Sequence, residues 1–143
     1  MKYVVLVSHG TFAPGLQSVL EMLAGGGRED IISVGLEDGM SADRFVEKLA
    51  QATEVISAED EVILLGDILG GSPLTQAADL FTRKGLESQT ICFGGMNLGM
   101  ALTAVLDKDF TELEEMRTKL VESATEVIRE FAMVADDADE DDI

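Results

Sequence analysis

Short apolar runs alternate along the chain with longer stretches of mixed apolar and polar residues, and the two patterns predict strands and helices in turn. The apolar runs are rich in β-branched residues and carry few charges, as expected for strands that are buried on both faces. Four such runs predict strands: residues 3–8, 31–34, 61–66 and 89–93.

The mixed stretches place apolar residues at the i, i+3, i+4, i+7 spacing of a helix face. Each begins at a residue that favours a helix start, either a proline in the first turn or a capping side chain. These residues are Pro14, Ser41, Ser72, Asn97 and Thr111. Ser72 is predicted to cap a helix with Pro73 at its first position, and Glu114 completes a capping box with Thr111. The last apolar stripe keeps helical spacing through Phe131.

Strands that alternate with helices predict right-handed crossovers, and therefore a parallel sheet covered by helices on both faces. The fold class is α/β, doubly wound, with the strand order 2-1-3-4 of a flavodoxin-like sheet. A chain of 143 residues is long enough for one hydrophobic core. We expect a single domain over residues 1–135, followed by a disordered acidic tail at residues 136–143.

The chain is strongly acidic, with 28 acidic residues against 10 basic ones and a net charge of −18. Such a surface repels phosphate backbones and anionic lipid, which argues against nucleic-acid binding and direct membrane insertion. No apolar run approaches the ~20 residues of a membrane span, and the start of the chain has no signal-peptide pattern. The single cysteine, Cys92, excludes an internal disulfide. We expect a cytoplasmic protein with Cys92 buried in its apolar strand.

The only histidine, His9, follows the first strand and begins a glycine-bearing turn, and Asp67 follows the third strand. In the order 2-1-3-4 these two strands are neighbours, so their carboxyl ends bring the two side chains together. A carboxylate that accepts the Nδ1 proton of histidine fixes the tautomer and leaves the Nε2 lone pair exposed as a nucleophile. The residues alone also fit a histidine that fills a turn and an aspartate that closes an Asx-turn.

The segment Gly70-Gly71-Ser72-Pro73 predicts an anion site close to this pair. Successive glycine amides, a helix N-terminus and the Ser72 hydroxyl all offer hydrogen-bond donors to an anion. An ordinary capped helix after a flexible turn explains the same residues. The segment lacks the lysine of a Walker A loop, and the turn after His9 lacks the dinucleotide fingerprint. We predict a site without a metal or a cofactor.

Two motifs, V-S-H-G around His9 and D-x-x-G-G-S-P from Asp67, resemble the enzyme IIA component of the mannose class of the bacterial sugar phosphotransferase system (PTS). The resemblance covers nearly the whole chain. It implies that His9 accepts a phosphoryl group from the histidine phosphocarrier protein and passes it to a IIB component for sugar uptake. It also implies that Asp67 hydrogen-bonds the histidine and that Ser72 helps to bind the phosphoryl group. The residues expected to bind the phosphoryl group are Ser72, Gly70, Gly71, Gly10 and Thr11.

The same resemblance implies a homodimer, because family members add an antiparallel edge strand that two subunits exchange. The helical spacing through Phe131 leaves the position and the existence of that strand open in this chain. A partner protein must reach His9, so we expect a docking rim around it. Phe12, Leu69 and Met96 are the candidate apolar contacts of that rim, although each of them fits a core position equally well.

Two other kinds of function fit the sequence. A similar domain, with a histidine after the first strand, is the phosphotransfer subunit that serves a dihydroxyacetone kinase, although its second motif usually lacks G-G-S-P. A non-catalytic regulatory or ligand-binding flavodoxin-like module would share the fold without the relay. Phosphohistidine is lost in mild acid, and this property distinguishes a relay from a module that only binds.

Overall fold

The computed structural model describes residues 1–134, and its centre is a sheet of four strands. These are β1 (Lys2–His9), β2 (Ile31–Leu36), β3 (Glu61–Gly66) and β4 (Thr90–Phe93). The strand order is β2-β1-β3-β4 and every pair is parallel, which confirms the predicted α/β class and topology. Within residues 1–134 the sheet has no antiparallel edge strand.

Within residues 1–134, five helices connect or follow the strands. They are α1 (Phe12–Ala24), α2 (Ala42–Ala52), α3 (Ser72–Arg83), α4 (Leu98–Asp107) and α5 (Leu113–Glu126). Two short 3-10 turns lie at Glu87–Gln89 and Lys108–Phe110. In the part of the chain that the structure describes, no helix has the length and apolar character needed to cross a membrane.

The buried residues form two apolar layers, one on each face of the sheet. Val4 and Leu6 of β1 face the layer that contains α1, α4 and α5. Val5 and Val7 of the same strand face the layer that contains α2 and α3. Because alternate residues of a strand point to opposite faces, an unbroken apolar run fits a strand that is covered on both sides. The doubly wound arrangement follows from this burial.

Two of the predicted capping residues are confirmed. The Ser41 hydroxyl accepts a hydrogen bond from the Arg44 amide at 3.0 Å, and the Asn97 side chain accepts one from the Met100 amide at 2.9 Å. These bonds satisfy amides that the first turn of a helix leaves without an intrahelical acceptor.

The predictions for Ser72 and Thr111 as caps are wrong. Gly71 caps α3 and Ser72 is already its first residue, because a turn closed by the Gly71 amide and the Ile68 carbonyl starts the helix earlier. Thr111 stays extended, with φ −137° and ψ 134°, and its carbonyl accepts a bond from Lys2 Nζ. Helix α5 therefore begins after Glu112 and has no capping box.

The prediction that the last helix continues to Phe131 is also wrong. Helix α5 ends at Glu126, and Phe131 is exposed. The Asn97 side chain donates a hydrogen bond of 2.9 Å to the Ala124 carbonyl, which a continuing helix would use for the Ile128 amide. That amide bonds to the Thr125 carbonyl instead. The predicted disordered tail at residues 136–143 lies outside the described residues.

Cys92 is exposed, contrary to its predicted burial. It lies on β4, which pairs only with β3 among residues 1–134 and so forms one edge of the sheet. Its neighbour Ile91 points to the other face and is buried. A short apolar run predicts a strand, but the run does not tell whether both faces of that strand are covered.

A buried ion pair lies at the opposite end of the sheet from His9. Lys108 is 1% exposed, and its Nζ lies 2.7 Å from Asp30 Oδ2. Burial alone would raise the pKa of Asp30, but hydrogen bonds from Arg28 and Lys108 and the charges of both residues outweigh it. Together they lower that pKa from 3.8 to about 2. The folded state therefore favours the ionised carboxyl.

This pair predicts a specific loss of stability in acid. Because folding lowers the pKa of Asp30, the ionised carboxyl stabilises the folded state fully above pH 3.8. This stabilisation disappears as the pH falls towards 2. The contribution is about 2 kcal/mol. We expect Asp30→Asn to lower the free energy of unfolding at pH 7, and the difference from the wild type to shrink between pH 4 and 2. Urea unfolding across this range measures it.

The matched control is Asp79→Asn, which removes the same charge from an exposed i,i+4 pair with Arg83. Exposed pairs contribute little to stability, so this variant should stay close to the wild type at every pH. A difference between Asp30→Asn and the wild type that does not change with pH would contradict the assignment.

Candidate functional site

His9 is the last residue of β1 and lies at the carboxyl end of the sheet. The chain turns sharply after it: Gly10 has φ +57°, and its amide donates a 2.8 Å hydrogen bond to the Leu36 carbonyl at the end of β2. A residue with a Cβ is strained at this φ, so the turn favours glycine. The His9 side chain is 48% exposed and open to an approaching molecule.

Asp67 follows β3 and lies directly beside His9, as the sequence predicts. Its Oδ2 lies 2.9 Å from His9 Nδ1 and also accepts a hydrogen bond of 2.9 Å from the His9 amide. The two residues meet because β1 and β3 pair in register, with Val7 opposite Gly66. Two residues that are 58 positions apart in sequence thus form one hydrogen-bonded pair.

The Asp67 carboxyl is held in its ionised form. Its burial alone would raise its pKa, but hydrogen bonds from the His9 amide, the His9 ring and the Ile68 amide outweigh that effect and lower the pKa. An ionised carboxylate only accepts hydrogen bonds, so the proton between the two side chains lies on Nδ1. The neutral ring then carries its lone pair on Nε2.

The loop between β3 and α3 passes against the imidazole ring. A Cβ on Gly71 would lie 3.2 Å from His9 Cε1, so the glycine allows the loop to come this close. Ser72 is exposed at the first turn of α3. Among residues 1–134, the amides of Gly70 and Ser72 have no hydrogen-bond acceptor. The structure thus brings an N-terminal helix turn with available donors next to the ring.

Helix α1 also begins beside His9. Thr11 is its N-cap residue, but the Thr11 side chain makes no capping hydrogen bond. Thr11 is exposed, whereas the Gly10 amide is already bonded to the Leu36 carbonyl. Two helix N-termini therefore flank the imidazole, and each contributes partial positive charge to the same space.

The loop after β4 supports Asp67 from behind. The Gly95 amide donates to the Asp67 carbonyl at 3.2 Å, and the Met96 amide donates to the Gly66 carbonyl at 2.9 Å. A Cβ on Gly94 would lie 2.6 Å from Leu69 Cα, so the two loops are in direct backbone contact. This loop is a tight strand-to-helix connection that fixes the loop bearing Asp67.

Two of the three residues predicted for the apolar rim are exposed, as a rim requires, and their role in docking a partner stays a prediction. Phe12 and Leu69 are exposed close to His9, together with Ile68, which the sequence did not single out. Met96 is 4% exposed and packs in the core, so its assignment to the rim is wrong. The reason is that Met96 bonds back to β3 and points into the layer formed by α1, α4 and α5.

Ser8 is a residue of this region that the sequence analysis did not identify. It is fully buried, its hydroxyl donates to the His9 carbonyl at 2.9 Å, and it accepts from the Ala13 amide at 2.7 Å. The signal for it is a hydroxyl side chain at the end of an otherwise apolar run, directly before the histidine. A strand pattern alone does not distinguish such a residue from its apolar neighbours.

Within residues 1–134, no group of three or more His, Cys, Asp or Glu side chains is arranged to hold a metal ion. The polar groups that the structure brings together at the site are the His9 imidazole, the Asp67 carboxylate and the surrounding amides. The predicted absence of a metal and of a cofactor stays a prediction.

Comparison with known proteins gives a family and a fold. A family model described as "PTS system fructose IIA component" matches residues 3–121. The PTS fructose-specific EIIA component of Bacillus subtilis (strain 168) is 27% identical over 117 residues, which cover 82% of this chain and 77% of that protein. The comparison with solved structures agrees.

The PTS component EIIA from Streptococcus agalactiae has a TM-score of 0.78 and 27% identity, covering 91% of this chain and 97% of that one. The mannose/sorbose-specific IIA subunit from Enterococcus faecalis has a TM-score of 0.78 at 22% identity, with 94% and 98% covered, and shows the same fold. The family match spans most of the chain and confirms the resemblance that the two motifs suggested. This chain belongs to the family of PTS fructose IIA components and has a phosphotransfer role in sugar uptake.

Proposed function

We propose that His9 accepts a phosphoryl group on Nε2 from the histidine phosphocarrier protein and passes it to a IIB component. The observation that carries this proposal is the pairing of His9 Nδ1 with Asp67 Oδ2 at 2.9 Å, which leaves Nε2 as the free nucleophile. The relay takes place in the cytoplasm, where both partners meet a single phosphotransfer domain formed by residues 1–135. It needs neither a metal nor a cofactor.

In the transfer step, the Nε2 lone pair of His9 attacks the phosphorus of the donor's phosphohistidine. The bond between phosphorus and the donor nitrogen breaks, and its electron pair stays on the donor ring. The His9 ring keeps its Nδ1 proton and becomes cationic, and the Asp67 carboxylate stabilises that charge. Transfer to the IIB component is the same step with His9 as the donor.

The phosphoryl oxygens are bound by the loops that surround the ring. Phosphoryl transfer depends mainly on positioning and on stabilising the charge of these oxygens. The amides of Gly70 and Ser72 and the Ser72 hydroxyl provide donors on one side, and Thr11 does so on the other. Gly71 allows the close approach to the ring. Gly10 contributes by forming the turn, because its own amide is bonded to Leu36.

The decisive experiment is incubation with phosphoenolpyruvate and the general PTS proteins, followed by intact-mass measurement. We expect one added phosphoryl group that is lost in mild acid and that disappears when purified IIB component is added. A chain that never gains mass would favour the non-catalytic module. A phosphorylated chain that fails to discharge to IIB but discharges to a dihydroxyacetone kinase would move the assignment to that system.

We also propose that the chain forms a homodimer through the segment after α5 and the edge of β4 that no strand within residues 1–134 pairs with. After α5, exposed apolar side chains follow one another in a short stretch: Val127, Ile128, Phe131, Met133 and Val134. An exposed apolar segment of this kind promotes aggregation, and so does a sheet edge whose backbone groups have no partner strand. Pairing between two copies covers both.

We expect the wild type to be a dimer by light scattering, and Phe131→Asp to be monomeric at the same concentration. The matched control is Val55→Asp, which places the same charge at another exposed apolar residue, in the loop before β3. It should stay dimeric. A wild-type chain that is monomeric at every concentration would contradict the proposal.

A further inference from the structure

Ser8 stands out in β1 because its polar side chain is completely buried. Val4, Val5, Leu6 and Val7 before it are apolar, and all of them are 0% exposed, as Ser8 is. A buried hydroxyl lowers stability unless its hydrogen-bonding capacity is satisfied. The partners that satisfy it here belong to the candidate site.

The Ser8 hydroxyl joins the His9 backbone to the first turn of α1. It donates to the His9 carbonyl at 2.9 Å and accepts from the Ala13 amide at 2.7 Å. A capping side chain normally supplies the second of these bonds, but the N-cap residue Thr11 makes none. One hydroxyl therefore fixes the position of the histidine relative to the helix N-terminus beside it.

The turn between His9 and α1 has no free space beneath it. A Cβ on Gly35 would lie 2.0 Å from the Gly10 carbonyl oxygen, so the turn rests directly on the end of β2. The Gly10 amide is bonded to the neighbouring Leu36 carbonyl. Because the opposing atom belongs to the backbone, a side chain at position 35 would have to displace the turn itself.

We propose that Ser8 is a positioning residue for phosphoryl transfer. Its hydroxyl holds the His9 turn and the N-terminus of α1 in the arrangement in which the imidazole and the helix amides face one phosphoryl group. Displacements of about 1 Å around a reacting group lower rates by up to about 10²-fold, so this arrangement controls the rate. The inference rests on the proposed function of His9.

The test measures single-turnover transfer from the phosphorylated histidine phosphocarrier protein to the full chain, at a temperature where every variant is folded. We expect Ser8→Ala to lower the rate at saturating donor by about 10- to 100-fold. The donor concentration at half-saturation should not change, because the exposed rim remains in place. Ser8→Thr keeps the hydroxyl and should restore most of the rate.

Two further variants separate positioning from stability. Thr53 is also fully buried, and its hydroxyl donates to the Leu49 carbonyl at 2.8 Å, at the end of α2. Thr53→Val should therefore lower the melting temperature and leave transfer unchanged. Gly35→Ala keeps the Ser8 hydroxyl but displaces the turn, and it should slow transfer as Ser8→Ala does.

A second readout does not depend on phosphorylation. The ¹⁵N shifts of the His9 ring report which nitrogen carries the proton, and we expect Ser8→Ala to move them towards those of free histidine. Wild-type transfer rates together with wild-type ring shifts in Ser8→Ala would overturn the proposal. A wild-type chain that accepts no phosphoryl group would overturn the proposed function instead, and the ring shifts would still test Ser8.

Discussion

Replacement of His9 by alanine is expected to abolish phosphoryl acceptance and to leave the fold intact. His9 is the only histidine in the chain, so no other imidazole can carry the group. Its side chain is half-exposed at the end of β1, and the two apolar layers of the core are built from other residues. Intact-mass measurement after incubation with phosphoenolpyruvate and the general PTS proteins checks acceptance, and circular dichroism checks the fold.

The stability of this variant should change little. Asp67 loses its partner at Nδ1, but the backbone amide of alanine at position 9 can still donate to Oδ2, and the Ile68 amide still donates to Oδ1. The control is Gln89→Ala, which removes hydrogen bonds to the loop before β3, at the opposite end of the sheet. It should accept the phosphoryl group normally. An acid-labile phosphate on His9→Ala would disprove the assignment of the nucleophile.

Asp67→Asn is expected to slow transfer strongly without abolishing it. An asparagine can donate its amide N–H to Nδ1, and the ring then carries its proton on Nε2, where the nucleophilic lone pair is needed. The cationic ring also loses the negative charge beside it. An effect on the order of 10²-fold or more is expected for the loss of an orienting carboxylate. Rapid-quench kinetics in both directions of transfer measure it.

The residual rate should come from the loop at Gly70–Ser72, which still holds the phosphoryl oxygens. Asp38→Asn is the matched control, because it removes one negative charge from the exposed loop after β2 and leaves the His9–Asp67 pair intact. This control separates the local hydrogen bond from the general charge of the surface. Equal rates in Asp67→Asn and the wild type would show that Asp67 only closes the turn after β3.

The pairing of His9 with Asp67 could be predicted because it depends on topology alone. Alternating strands and helices require parallel strands, and the order 2-1-3-4 places the carboxyl ends of the first and third strands side by side. No side-chain packing has to be known for that step. The burial of both faces of β1 follows in the same way from its unbroken apolar run.

Features that depend on what a segment contacts could not be predicted. The stripe that ends at Phe131 has helical spacing, but the hydrogen bond from Asn97 to the Ala124 carbonyl ends the helix earlier, and Asn97 is distant in sequence. The role of Ser8 could not be predicted for the same reason, because it depends on the Ala13 amide and the His9 carbonyl that the hydroxyl contacts. The exposure of Cys92 could not be predicted because an apolar run in the sequence does not show whether its strand lies at the edge of the sheet.

The direct contact between Gly94 and Leu69 limits where residues can be inserted into this chain without disturbing the site. Two loops that meet backbone to backbone leave no room for an inserted residue without moving Asp67. Gly26, between α1 and β2, lies at the other end of the molecule, and a Cβ added there would meet nothing within 4 Å. Its neighbours Gly25 and Gly27 have φ values of +107° and +70°, at which a residue with a Cβ is strained. A label or an added epitope for following the protein therefore belongs at Gly26.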